Sequence, residues 1–256
     1  MSRIQNAFKK GKAFIAFLTA GDPDLQTTEE LVLEMEKSGA DIVELGIPFS
    51  DPIAEGPVIQ EANMRSLASG TTPDKVFEMV KRIREKSQVP LVFLTYVNPI
   101  HKYGYDAFFA KCKESGVDGI IIPDLPFEEK MEAHEFSSKH GIDLVPLVAP
   151  TSEDRIRKIA ASAEGYLYIV SSLGVTGIRS EIKTDLNSII NVAKETAKVP
   201  LAVGFGINTP EQAAKISKIA DGIIVGSAIV KIIAQHGKNS AKYVGEYVKK
   251  MKSAMS

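Results

Sequence analysis

The run Asp41-Ile42-Val43-Glu44-Leu45-Gly46 continues as Ile47-Pro48-Phe49-Ser50-Asp51-Pro52-Ile53-Ala54-Glu55-Gly56-Pro57-Val58-Ile59-Gln60, an apolar strand passing into a loop with three prolines. A short unbroken apolar run of this kind marks a strand buried on both faces, as in a parallel sheet covered by helices. Glu44 sits near the C-terminal end of that strand, where parallel barrels gather their reactive groups. Burying a lone carboxylate is costly, so its presence there points to a use. Pro48, Pro52 and Pro57, with Gly46 and Gly56, read as a stiff loop carrying two more acids, Asp51 and Glu55.

The same strand-then-helix rhythm recurs on either side. Before it, AFIAFLTAGDP (residues 13–23) gives a strand and glycine turn, and residues 25–38 continue with helical spacing. After it come a helix over about residues 74–86, PLVFLTY with a helix near 105–115, and DGIIIPD with one over 128–140. DLVPLVAP then precedes a helix at 152–161, GYLYIVSS one at 185–196, PLAVGFGI one at 210–219, and DGIIVGSAIV a final stretch ending near Met251. Eight such units predict an α/β fold closed as a (β/α)8 barrel, a TIM barrel, with all strands parallel. The competing architecture is an open doubly wound sheet, but no GxGxxG opens the first helix. Residues 2–10 read as an extra N-terminal helix, with Ile4, Ala7 and Phe8 on the face that caps the barrel floor.

At 256 residues and 44% hydrophobic, the chain has the size of one barrel, and a single domain over residues 1–256 is expected. Thirty-one basic and thirty-two acidic residues leave a net charge of -1, which gives no electrostatic case for nucleic acid or an anionic membrane. No apolar run approaches the roughly 20 residues that span a bilayer, and no signal-peptide core opens the chain, so a cytoplasmic protein is expected. Cys112 stands alone inside a helical pattern and reads as inert packing. The loops at residues 47–72 and 171–184 are longer than compact domains usually carry, and such loops are often functional.

Three glycine-bearing turns follow the last three strands: SLGVTG (172–177), VGFGI (203–207) and VGSAIV (225–230). Any one of them is explained by a tight strand-to-helix turn. Three at consecutive strand ends instead suggest a backbone-amide cradle for a phosphate, with a helix starting at Gly226-Ser227 adding its positive end. Other chemistries lack their residues. No strand carries a lysine for an imine, and His101, His134, His140 and His236 show no metal-ligand spacing. Glu44, Asp51, Glu55 and Asp124 would be the acids for magnesium, but an amide cradle makes a bridging metal unnecessary, and neither metal nor cofactor is expected. Phe17, Tyr96, Ile121 and Tyr168 stand on strands or at strand ends and singly read as barrel filling. Tyr168 is the exception, a buried phenol for which the strand-end carboxylate is a natural partner.

Taken together and in order, AGDP (20–23), ELGIPFSDP (44–52), EGPVIQ (55–60), PDLP (123–126), GVTG (174–177), GFGI (204–207) and GSAIV (226–230) resemble the tryptophan synthase alpha subunit family over essentially the whole chain. The resemblance implies cofactor-free retro-aldol cleavage of indole-3-glycerol phosphate to indole and glyceraldehyde 3-phosphate. It also implies a beta-subunit partner in an alpha2-beta2 heterotetramer. It makes Glu44, Glu55 and Tyr168 catalytic, and Gly177, Phe205, Gly206, Gly226 and Ser227 phosphate-binding. Phe17, Ile59, Tyr96, Ile121 and Thr176 would line the indole pocket or its lid, and Asp51 would face the beta subunit. One position departs from the family pattern: its DGP is EGP here, and the extra methylene moves the carboxylate by about 1.5 Å at full extension. Two other functions stay open, another phosphate-handling barrel enzyme and a non-catalytic barrel that only binds or activates a beta subunit.

Overall fold

The computed structural model describes residues 2–171 and 186–255. Helix α1 (Arg3–Lys9) is followed by β1 (Ala13–Thr19), α2 (Leu25–Lys37), β2 (Ile42–Gly46), α3 (Pro57–Ala68), α4 (Pro73–Arg84) and β3 (Leu91–Leu94). Next come α5 (Val97–Tyr103), α6 (Tyr105–Ser115), β4 (Gly119–Ile121), α7 (Met131–His140), and two short strands, β5 (Asp143–Leu144) and β6 (Leu147–Val148). The chain continues through α8 (Glu153–Ala161), β7 (Leu167–Val170), α9 (Leu186–Lys194), β8 (Leu201–Gly204), α10 (Pro210–Ser217), β9 (Gly222–Val225), α11 (Ser227–His236) and α12 (Ala241–Ser253).

Every described strand pairing is parallel, in the order β5-β4-β3-β2-β1-β9-β8-β7-β6. The two edges, β5 and β6, are halves of one stretch of chain, so the sheet closes on itself as a (β/α)8 barrel. The expected fifth strand is broken at Pro146. The Val145 amide still donates to Ile120 of β4 at 2.9 Å, whereas the Pro146 carbonyl accepts from Tyr168 of β7 at 3.0 Å. A strand residue points its N–H and C=O to the same side, so Val145 serves β4 and Pro146 serves β7, and because proline has no N–H only its carbonyl bonds β7.

Side-chain alternation divides the sheet into an outer and an inner face. Leu18, Val43, Leu45, Phe93, Ile120, Ile169 and Val203 point outward into the large core shared with the helices. Ile15, Ile42, Val92, Ile121, Tyr168, Ala202 and Ile224 point inward, where Ile4 and Ala7 of α1 close the floor as the sequence predicts. Ser2 and Gln5 form a capping box at the start of α1, and Arg3 pairs with Asp118 at 2.9 Å. The register places Phe17, Glu44 and Val92 side by side on β1, β2 and β3, fixing Glu44 as an inward residue.

The segment 47–72, read from sequence as loop, contains the twelve-residue helix α3. Pro57 is its first residue, where a missing N–H is harmless. Its buried positions, Ile59, Ala62, Asn63 and Ser66, keep helical spacing, but two of the four are polar, so hydrophobic periodicity is silent. Short α5 was also unanticipated. Its first amide, Val97 N–H, donates to both oxygens of Asp124 at 3.0 and 3.2 Å, which gives that former metal candidate a capping role. Among the described residues no helix is long and apolar enough to cross a membrane.

Candidate active site

The C-terminal mouth of the barrel holds a cavity of about 400 Å³ with both Glu44 and Glu55 in its wall. Phe17, Ile59, Tyr168, Phe205, Gly206, Gly226 and Ser227 line it too, so most of the sequence-derived candidates converge there.

Glu44 is 1% exposed, and its Oε1 accepts a hydrogen bond of 2.5 Å from the Tyr166 hydroxyl. Burial raises the carboxyl to about 7, and the phenol opposes part of that rise by bonding the ionised form. The expected orienting partner, Tyr168, is therefore corrected to Tyr166. Both tyrosines face inward, being two residues apart, but Tyr166 stands one layer lower, beside Phe8 of α1 with ring centroids 5.9 Å apart. Tyr168 lines the cavity itself, edge-on to Phe205 at 6.0 Å.

Glu55 is 6% exposed and is likewise raised to about 7 by burial. Asn63 of α3 donates its Nδ2 to Glu55 Oε2 at 2.6 Å, and Gln60 donates to the Glu55 carbonyl at 2.8 Å. The Tyr96 hydroxyl, which accepts the Ala54 amide at 3.3 Å, lies near enough to the Glu55 carboxyl to favour its ionised form, while its ring lies 5.4 Å from Phe49. Tyr96 thus stands behind Glu55 and pins the acidic loop instead of forming the cavity wall. Each carboxyl has a phenol from a distant strand or strand end beside it, hydrogen-bonded in the case of Glu44.

Ile121 is the second correction among the pocket residues. It is fully buried in the inner core, packed in the same cluster as Ile4 and Tyr166, and β4 reaches the cavity through Pro123, two residues further on the same face. Asp51 is exposed on the acidic loop, with the Ser50 hydroxyl donating to it at 2.5 Å. Thr176 and Gly177 lie outside the described residues, as does the loop 172–184.

The wall formed by the ends of β8 and β9 has backbone geometry suited to an anion. Phe205 (φ 73°) and Gly206 (φ 79°) are consecutive residues in the left-handed region, and Phe205 is the one non-glycine with positive φ among the described residues. Their carbonyls are occupied: Ser171 Oγ donates to that of Phe205 at 2.6 Å and Asn208 Nδ2 to that of Gly206 at 3.0 Å. Beside them, α11 begins at Ser227 with no side-chain cap and no acid in its first turn, presenting its amides and positive end to the cavity.

Packing by itself also calls for glycine at two of these strand ends. A Cβ on Gly204 would lie 2.3 Å from the Tyr168 hydroxyl, and one on Gly226 would press on the Phe17 ring at 3.0 Å. Gly204→Ala is therefore expected to destabilise the chain by about 1–3 kcal/mol and to push the Tyr168 ring into the cavity, as urea melts and a structure of the variant would record.

Tyr166 and Asn63 are the site residues that sequence reasoning missed. The doublet Tyr166/Tyr168 was visible as a same-face pair, and Asn63 follows Ile59 by four residues on what proves to be a helix. Known proteins share the sequence and the fold. The family model described as tryptophan synthase alpha chain matches residues 4–256. The tryptophan synthase alpha chain of Lacticaseibacillus casei is 48% identical, covering 100% of this chain and 96% of the relative. That of Caldanaerobacter subterraneus is 49% identical over 96% of this chain and 95% of its own. Among solved structures, tryptophan synthase subunit alpha from Legionella pneumophila superposes with a TM-score of 0.91 at 40% identity, covering 100% of this chain and 98% of the other. A chain from the tryptophan synthase a2b2 complex of Pyrococcus furiosus gives 0.88 at 39% identity, covering 95% and 99%. With the barrel, the buried acid pair and matches that span the full sequence, the chain belongs to the tryptophan synthase alpha chain family.

Proposed function

We propose that the chain cleaves indole-3-glycerol phosphate to indole and glyceraldehyde 3-phosphate by a retro-aldol reaction at this cavity. The observation that carries the reading is the pairing, in one cavity, of two buried carboxyls raised to about 7 with an amide-rich rim at the ends of β8 and β9. The phosphate sits at that rim, on the Phe205-Gly206 turn and the start of α11, and its binding fixes where the indole lies.

Protonated Glu44 gives its proton to indole C3, leaving an indolenine cation whose charge lies largely on the ring nitrogen. Ionised Glu55, held by Asn63 and with Tyr96 beside it, accepts the ring N–H and stabilises that charge. The Glu44 carboxylate then takes the proton of the side-chain hydroxyl, the carbon–carbon electron pair returns to the ring, and the alcohol becomes the aldehyde. Glu44 ends as it began, acid then base, a role suited to a carboxyl near neutrality. Tyr166 holds it throughout, and Tyr168 packs beside it on the wall.

The cycle needs Glu55 ionised and Glu44 protonated, so kcat is expected to rise and then fall through a narrow maximum near pH 7, with apparent values belonging to the pair. Tyr166→Phe removes the contact that lowers Glu44 while leaving its burial, so the alkaline limb moves up by roughly one pH unit in a pH–rate profile. An unmoved limb would count against the assignment of Glu44 as the acid.

A beta subunit as partner and a cytoplasmic location accompany this reading. The Pyrococcus furiosus relative is described in an a2b2 complex, and Asp51, with Ile53 at 73% exposure, offers the acidic loop as part of such an interface. Indole release measured with and without a beta subunit tests both proposals. No indole in either condition overturns the activity, and equal rates overturn the partnership as an activating one.

A further inference from the structure

The break in the barrel wall at Pro146 has a consequence for what the cavity can hold. Because β5 pairs only with β4 and β6 only with β7, no ladder joins the end of β4 to β6. Behind that gap, between the segment that leads into α7 and helix α8, lies a second chamber of about 390 Å³, walled by Ile122, Leu125, Phe127, Leu144 and Ile159. Pro123, Leu147 and Ala149 line both the chamber and the catalytic cavity, so a partition of three side chains divides the two spaces. Leu147 is half-buried, the largest of the three, and sits at the first residue after Pro146.

The ring order of strands shows which end of a ligand meets this partition. With β5 and β6 counted as one, the anion rim at β8 and β9 stands diametrically across the barrel from β3 and β4. A substrate anchored by its phosphate at that rim therefore directs its far end, the benzo ring, toward Leu94, Pro123 and Leu147. The chamber beyond is mostly apolar. Its two cations are engaged elsewhere, Arg155 in a two-pronged pair with Glu128 and Lys130 with the Ser162 carbonyl at 2.9 Å. It therefore has room for an uncharged apolar group and little to hold a polar one.

We propose that this chamber is an extension of the indole pocket, gated by Leu147, which admits apolar substituents on the benzo ring of indole-3-glycerol phosphates. The proposal rests on the retro-aldol reading of the site. Leu147 sets the limit on ring size by standing in the gap, since filling or vacating a few methylenes of an apolar pocket changes discrimination by about 10- to 200-fold.

The test compares kcat/KM for unsubstituted, 5-bromo and 6-bromo indole-3-glycerol phosphate, assayed with the beta subunit present. Leu147→Ala is expected to raise the ratio of bromo to unsubstituted kcat/KM at least tenfold for one ring position. Thr151→Trp, at a residue that lines the chamber alone, should leave the unsubstituted reaction intact and cancel that gain when combined with Leu147→Ala. If neither bromo substrate gains, or the gain survives Thr151→Trp, the chamber is not the acceptor and the proposal falls. Should the wild-type chain fail on the unsubstituted substrate, the retro-aldol reading fails by itself. The chamber is then tested by equilibrium binding of 5- and 6-bromoindole against indole: tighter relative binding of either by Leu147→Ala supports it, and unchanged relative binding of both overturns it.

Discussion

Glu44→Gln is expected to abolish indole formation, by about a thousandfold or more, while making the free chain more stable in alkaline solution. The loss follows because an amide can neither give C3 its proton nor take the hydroxyl proton afterwards, and general acid–base catalysis alone supplies about 10²–10⁴-fold. The gain follows from burial. Burial pushes the carboxyl up to about 7 in the folded chain from its ordinary value of 4.5. Below pH 4.5 both forms are protonated and the native state bears no penalty. As pH rises through 4.5 toward 7 the unfolded chain ionises first, so the folded state loses stability, and the whole penalty is present above 7. Glutamine removes that penalty, on the order of 3 kcal/mol at pH 8.5 and little at pH 4.5. Urea melts at the two pH values measure the difference. A variant no more stable at pH 8.5 than the parent would mean that Glu44 is ionised in the folded chain without strain.

Glu55→Ala should reduce kcat by about 10²–10³, the usual effect of removing a single preorganised group that meets developing charge. Glu55→Asp should be much milder, because the charge survives and only about 1.5 Å of reach is lost. Asn63 separates charge from position. Asn63→Leu leaves Glu55 in place but removes the 2.6 Å donor to Oε2 and, with it, one of the contacts that lower its pKa. The acid limb of the rate profile is then expected to move to higher pH, because Glu55 must be ionised to work. Steady-state kinetics across pH 5.5–9 on the three variants would reveal the pattern. Equal losses in Glu55→Ala and Glu55→Asp would indicate that geometry, and not charge, is what this side chain supplies.

How much of this was legible beforehand depends on the range of the interaction concerned. Strand runs of Val, Ile and Leu, the helical spacing between them and the glycine turns at their ends are local properties, and eight repeats of them sufficed for the barrel. Alternation along the five residues of β2 puts Glu44 on one face with Ile42 and Gly46, and the register with β1 and β3 makes that face the inner one. The sequence could place both carboxyls in one mouth because each lies at or just beyond the end of the same strand.

The tertiary structure alone decided what those groups touch. Tyr166 lies 122 residues from Glu44, and period-two alternation gives Tyr166 and Tyr168 the same face without saying which layer each occupies. Layer height depends on strand stagger around a closed barrel, a collective quantity that no single segment encodes. The same limit placed Ile121 below the pocket and Pro123 in it. Helix α3 was hidden because its buried face is half polar, those polar groups being spent on Glu55 and on the Ala20 carbonyl, which accepts from Ser66 at 2.6 Å. Sequence determined the repeating units and the acid at the end of the second strand. Packing between residues far apart in the chain set that acid's partners, its proton affinity and the gap in the wall beside it.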